Sequence, residues 1–230
     1  MLVPDLIYDI GLHVGNDTAY YMSEGYRVIA VEANPMLVEQ CKKRFARELQ
    51  NGLLRILPIG IGPAEGMMPF YVNPRNTEWS AFDKEVAWRD GQDGPVVDVP
   101  VMRLTELFKH YGVPYFLKSD IETGDRFVLD ALETLDRKDL PIYMSIEAHK
   151  LEYLARLNVM GYTAFKVVDQ KAHGMHACSG PFGEKAPGRW VAFDVAAYEW
   201  LHSIMGHRER HTWLTNDPKT WHDFHVKRTW

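Results

Sequence analysis

The sequence predicts an α/β fold, a doubly wound and mostly parallel seven-stranded sheet with an antiparallel edge strand, and three observations carry that prediction. Short apolar runs of strand length alternate with segments of helical period. A glycine turn follows the first run directly, and an acidic residue closes the second. Two late runs lie close together with no long helix between them, the spacing of an antiparallel pair at the sheet edge.

The first two strands are read at residues 6–10 and 27–31. Between them a helix over 16–24 ends at Gly25. Asn34 then offers a side-chain cap and Pro35 a first-turn residue for a second helix. Its Leu37, Cys41, Phe45 and Leu49 recur every four positions as one buried face, and Gly52 ends it. Runs at 53–59, 115–119 and 142–146 supply three more strands, with a helix over 125–135 between the last two. The closing pair is 162–168 and 190–193.

A chain of 230 residues, 46% hydrophobic and 12% aromatic, buries one core and is short for two full domains, so a single domain over 1–230 is expected. A net charge of -5 leaves no electrostatic footprint for a nucleic-acid backbone and favours a small or neutral partner. Cys41 and Cys178 are too few for a disulfide scaffold, which fits a reducing compartment. Pro4, Asp5 and Asp9 interrupt the first ten residues, which carry no basic segment, so no signal peptide is read there. No uncharged apolar run reaches the roughly 18 residues of a membrane span. A cytoplasmic protein is the expectation.

Residues 73–96 and the Gly/Pro-rich run 173–188 break the alternation and are candidates for substrate-facing lids, or else solvated loops. The stretch 200–230 is dense in rings: His207, His211, Trp213, Trp221, His222, His225 and Trp230. It suits a C-terminal segment docked on the body, or a stacking platform for a sugar face. Its histidine spacing matches no zinc pattern.

The motif Asp9-Ile-Gly11-Leu-His13-Val-Gly15-Asn-Asp17-Thr18 is a strand entering a glycine turn and then a helix. Glycine at 11 lets the chain turn sharply and lets a ligand approach where a Cβ would collide. A dinucleotide fingerprint needs glycines at 11, 13 and 16 or at 9, 11 and 14, and the chain has His13 and Asn16, or Asp9 and Val14. The pyrophosphate cradle is missing. S-adenosylmethionine, a nucleoside cofactor without phosphate, needs none. Glu32 lies 21 residues after Gly11 at the end of the second strand, where a carboxylate accepts ribose hydroxyl hydrogens or is simply a solvated acid. The candidate cofactor set is Asp9, Gly11, His13, Gly15, Asp17, Thr18, Glu32, Ala33, Asn34, Gly60, Ile61 and Asp120.

At the end of the fourth strand stand Lys118, Asp120 and Glu122, and at the end of the fifth Glu147 and His149, placed on shared sides by strand alternation. These five are the candidate catalytic residues, with ion pairs that steady strand ends as the plainer account. His149 is the chosen base, steadied by Glu147 or Asp120, because imidazole titrates near neutrality. The alternative is a Mg²⁺ or similar site drawing on Asp120, Glu122, Glu147 and His149.

On these residues the chain resembles the FkbM-type methyltransferases. The matching features are Asp9-Ile-Gly11 with Gly15, Val31-Glu32-Ala33-Asn34-Pro35, Lys118-Ser-Asp120-Ile-Glu122, Ser145-Ile-Glu147 and Gly161-Tyr162 leading to Phe165. Ser179-Gly-Pro-Phe-Gly183-Glu and Trp221-His-Asp223-Phe-His225 extend the likeness over nearly the whole chain. It departs from the family at His13, where Asn is usual, and at Thr123-Gly124-Asp125, where Gly-Ala-Glu is common. The resemblance implies a class I methyltransferase fold, S-adenosylmethionine as cofactor, and O-methylation of a hydroxyl on a sugar, glycan or other small natural product. From other classes, a nicotinamide-dependent oxidoreductase and a non-catalytic protein of the same fold remain rivals.

Overall fold

The computed structural model describes residues 1–170, 180–206 and 221–229, and the chain divides into two compact units, Met1–Pro141 and Ile142–Trp230. The first unit runs β1 (Leu2–Ile10), α1 (Asn16–Ser23), β2 (Arg27–Val31), α2 (Pro35–Arg44), α3 (Ala46–Gln50), β3 (Leu54–Leu57), β4 (Gly60–Ile61) and β5 (Gly66–Tyr71). It continues with α4 (Lys84–Ala87), β6 (Val96–Met102), α5 (Leu104–Tyr111), β7 (Val113–Ser119) and α6 (Asp125–Leu132). Four strands pair parallel in the order β3-β2-β1-β7. Leu6, Ile7, Tyr8 and Ile10 on β1, interrupted only by buried Asp9, and Val28 to Val31 on β2 are all buried, as strands covered on both faces require.

Local signals set the helices. The Asn34 side chain accepts from the Met36 N–H at 3.0 Å with Pro35 in the first turn, so α2 starts where expected. The predicted helix does not run to Leu49, however, because Phe45 leaves the helical conformation (φ -110°, ψ 30°) and α3 starts anew after it. Phe45 remains buried with Leu37 and Cys41, while Leu49, beyond the break, is only partly buried.

The stretch 73–95 is largely irregular, as expected, and short elements punctuate it. β4, β5 and β6 form a separate three-stranded sheet in the order β4-β6-β5, and a 3₁₀ turn at Thr77–Trp79 and α4 lie between its last two strands. Pro100 sits in the central strand of that sheet because β4 is only two residues long and pairs with Val101 and Met102 alone.

The second unit runs β8 (Tyr143–Glu147), α7 (Leu151–Met160), β9 (Ala164–Asp169), α8 (Phe193–Gly206) and β10 (His222–Lys227). β10 lies between β8 and β9 and pairs antiparallel with both. The antiparallel pairing at the edge is as predicted, but its partner strand is not 190–193: Val191 makes only an isolated bridge to Phe165, and Phe193 already opens α8. His222 and His225 belong to β10, so that part of the C-terminal segment is docked as a strand, while His207, His211, Trp213, Trp230, Cys178 and the 173–179 part of the second loop lie outside the described residues. With β3, β2, β1 and β7 pairing parallel in the first unit and β8, β10 and β9 antiparallel in the second, the class is the predicted α/β one, mostly parallel. No helix among the described residues is long and apolar enough to cross a membrane.

Candidate cofactor site

The glycine turn lies at the carboxyl end of β1. Gly11 has φ +96°, and a Cβ built on it would stand 2.0 Å from the Asp120 carbonyl oxygen. The close approach that demands glycine is therefore to the neighbouring strand end, whereas the sequence suggested a ligand. The Gly11 and Leu12 N–H groups both reach the Val31 carbonyl at 3.0 Å, and the Asp120 N–H reaches the Ile10 carbonyl at 3.0 Å, so the ends of β1, β2 and β7 are tied into one edge. His13 follows at φ +49°, an uncommon conformation for a non-glycine residue.

Beneath the turn is a buried charge cluster. Asp9 faces Lys118 across the β1–β7 pair, and the Lys118 ammonium lies 3.3 Å from Asp9, 3.1 Å from Asp17 and 3.7 Å from Asp120. The ammonium also donates to the Gly11 carbonyl at 3.0 Å, and the Thr18 hydroxyl donates to Asp9 at 2.6 Å. Burial raises the Asp9 carboxyl to about 6 and Asp17 adds to that, while Lys118 and Thr18 pull it back. Burial alone would depress Lys118, but Asp9, Asp17 and Asp120 outweigh it and hold its pKa well above the usual value. Lys118 thus stays charged, enclosed within the wall of the site. Chemically it secures the turn.

Glu32 closes β2 with little exposure. One carboxylate oxygen accepts from the His13 N–H and the other from the Asn34 N–H, each at 2.8 Å. Burial raises its pKa against those two hydrogen bonds. Each oxygen keeps a second lone pair for a ligand hydroxyl. Beside it the Asn34 amide nitrogen is buried with no acceptor among the described residues, while its oxygen is engaged in the α2 cap. A carboxylate with open lone pairs next to an orphaned amide donor, behind a glycine turn with no phosphate cradle, fits an adenosine-type cofactor.

Side chains of residues 73–90 reach this edge. Asn73 is fully buried and organises the segment: its amide nitrogen donates to the Ala87 carbonyl at 2.7 Å and to Asp90 at 3.2 Å, and its oxygen accepts from Arg75 and Asn76 N–H groups at 2.9 and 2.8 Å. The Thr77 hydroxyl meets the His13 ring nitrogen at 2.9 Å. Burial depresses the His13 pKa, with Glu78 and Asp120 opposing, so the ring is neutral near pH 7. Arg89 forms a bidentate pair with Glu122 at 2.9 and 3.1 Å and lies 4.6 Å over the Trp79 ring. Phe82 presses where a Cβ on Gly60 would stand 2.3 Å away, and it packs with Ala33 against Phe70, Val72 and Val99. Ile61 is buried behind Gly60 on β4.

Among the candidate catalytic residues, Glu122 is not on the strand face expected. β7 ends at Ser119, and Glu122 stands in the following turn at φ +45°, with Thr123 at +59°. Asp125, left without a role by the sequence, is buried at the start of α6 and accepts from Ser119 at 2.5 Å. In the second unit the His149 imidazole lies 3.1 Å from the Glu147 carboxylate, and the His149 N–H reaches the Glu147 carbonyl at 2.9 Å. Among the described residues no three histidine, cysteine, aspartate or glutamate side chains gather as a metal site, and the proposed ligands are engaged instead with Lys118 (Asp120) and Arg89 (Glu122).

The model of the methyltransferase FkbM domain matches residues 9–174, which starts at the aspartate beneath the glycine turn and takes in Glu147 and His149. The chain belongs to the FkbM methyltransferase family. Among solved structures it is similar to an FkbM methyltransferase from Methylobacillus flagellatus KT, 14% identical over 70% of this chain and 36% of that one, TM-score 0.42. An rRNA methylase from Streptococcus thermophilus is 11% identical over 98% and 87% of the two chains, TM-score 0.43. The C-terminal domain of precorrin-6Y C5,15-methyltransferase from Rhodobacter capsulatus is 13% identical over 97% and 79%, TM-score 0.45. The chain spans about a third of the length of the FkbM structure. No curated protein sequence matches it.

Proposed function

We propose that this FkbM-family chain transfers a methyl group from S-adenosylmethionine to a hydroxyl of a sugar, glycan or other small natural product. The observation that carries the cofactor half is the Glu32–Asn34 pair: a buried carboxylate with a free lone pair on each oxygen, beside an amide donor with no acceptor among the described residues. Glu32 would hold the ribose hydroxyls, Asn34 would donate to the nucleoside, and Gly11 to Gly15 would line the turn, held from below by Lys118, Asp9, Asp17 and Thr18. When bound, the cofactor supplies an electrophilic methyl group on a sulfonium.

The protein's remaining tasks are alignment of the acceptor oxygen, exclusion of water and removal of one proton. For the last, His149 would accept the hydroxyl proton at Nδ1, while its Nε2 faces the Glu147 carboxylate at 3.1 Å, which would stabilise the imidazolium that results. A Mg²⁺-centred step is not part of this reading, since no ligand group gathers among the described residues. Oxygen is favoured over nitrogen by the family resemblance, and a small acceptor over nucleic acid by the net charge of -5.

Calorimetry with S-adenosylmethionine, S-adenosylhomocysteine and NAD tests the reading. Micromolar binding of both sulfur ligands and none of NAD is expected. NAD binding alone would instead support the oxidoreductase, and binding of the sulfur ligands without turnover on any hydroxylated acceptor would support the non-catalytic protein.

A further inference from the structure

One short segment touches the candidate cofactor edge at three places. Thr77 engages His13 after β1, Phe82 lies against Gly60 in β4 and, like Ala33 after β2, packs on the Phe70, Val72 and Val99 cluster, and Arg89 engages Glu122 after β7. Asn73 ties the segment to itself through Arg75, Asn76, Ala87 and Asp90, so its backbone is held as one piece. Its attachments differ in kind. Phe82, near the middle, is apolar and lies against buried Phe70, whereas Arg89, near the end, is held by an ion pair whose guanidinium side is 39% exposed. The non-glycine residues described with positive φ are His13, Glu122 and Thr123; the segment holds the first two, and the third is the neighbour of Glu122. Conformations of that cost persist only where the surroundings enforce them.

We propose that residues 73–90 are a hinged cover over the cofactor, pivoting at Phe82, and that Arg89 is the positioning residue that holds it shut by gripping Glu122. The inference rests on the methyltransferase reading and goes beyond it: the cover faces the cofactor edge, so it governs release of the nucleoside, and Glu122 serves the cover as its anchor. Stacking of Arg89 on Trp79 fixes the guanidinium plane that the bidentate pair requires. Lysine at 89 would keep the charge and lose the fork.

The experiment measures the dissociation rate of S-adenosylmethionine from wild type, Arg89→Leu, Arg89→Lys, Glu122→Leu and the Arg89→Leu/Glu122→Leu double variant, with thermal midpoints and amide exchange of 73–90 alongside. Expected are a rate at least tenfold faster in each of Arg89→Leu and Glu122→Leu, a double variant no faster than either single, a smaller effect for Arg89→Lys, faster exchange confined to 73–90 and midpoints near wild type. Wild-type dissociation rates in the Arg89 variants would overturn the cover, as would singles whose effects add. A wild type that takes no S-adenosylmethionine at all would instead remove the methyltransferase reading on which the cover stands.

Discussion

Asp9 and Lys118 face each other across neighbouring parallel strands, both buried, with the ammonium 3.3 Å from the carboxylate and a second carboxylate, Asp17, 3.1 Å away. Removing the shared cation leaves two buried acids without compensation. Lys118→Met should cost about 3–5 kcal/mol in urea unfolding. Without the ammonium, burial and Asp17 act on Asp9 unopposed by it, and a raised carboxyl pKa means the folded state binds protons more tightly than the unfolded one. The deficit should therefore be largest above neutrality and shrink as the pH falls.

Gly11→Ala places a methyl group 2.0 Å from the Asp120 carbonyl at a φ of +96°. Both faults are backbone faults, so neighbouring side chains cannot relax around them. A loss of about 2–4 kcal/mol in stability is expected, together with loss of S-adenosylmethionine binding by calorimetry.

Glu32→Gln keeps shape and acceptor capacity on one side but removes the charge that the ribose hydroxyls would meet. Each hydrogen bond to a charged group contributes about 1.5–3 kcal/mol, so affinity for S-adenosylmethionine should fall about 10- to 100-fold. Glu32→Ala should also lower the thermal midpoint, because the His13 and Asn34 N–H groups lose their acceptor. Equal affinity in the Gln variant would move the ribose elsewhere.

His149→Gln should reduce kcat by about 10²- to 10⁴-fold with cofactor affinity unchanged. Glu147→Gln should give a smaller loss, because the 3.1 Å partner stabilises the imidazolium without accepting the proton itself. Equal losses in kcat and in cofactor binding would show that the pair supports structure and not chemistry.

His225 in β10 is buried, and burial with the nearby Lys166 ammonium lowers its pKa to about 3. The unfolded chain then binds a proton that the folded chain refuses, so this contribution is intact above about pH 6.5 and erodes between there and about 3. Within that window wild-type stability should fall by up to about 1.4 kcal/mol per pH unit from this group. His225→Leu should flatten the slope, and an unchanged slope would locate the titration elsewhere.

What was legible in the sequence was local or carried by spacing. The Asn34 cap with Pro35 and the Gly11-to-Glu32 interval are read from adjacent residues and strand lengths, and both stand in the structure. Two partners of Lys118 were not legible, because Asp9 meets it through the β1–β7 register and Asp17 from α1, whereas Asp120, two positions on, was placed on its side by strand alternation. Pro69 and Pro100 disguised β5 and β6, since proline normally excludes a strand and here occupies positions the short sheet tolerates. β10 was missed because an antiparallel strand inserted between β8 and β9 draws on residues more than 50 positions away from either. Thr77 and Arg89 carry no motif; their meaning comes from Asn73 and the ends they reach.

The shape of 73–90 is stored in one buried amide, Asn73, whose partners are mostly backbone atoms. Its outward residues Pro74, Arg75 and Glu85 are exposed, whereas the exposed Glu78 accepts from the Asn76 amide at 3.5 Å and the Lys84 ammonium lies 5.0 Å over the Trp88 ring. On the proposed reading of 73–90 as a cover, mutational libraries confined to Pro74, Arg75 and Glu85 should alter its rim while the framework beneath keeps its form, which makes these positions the natural handle for engineering new acceptor preference.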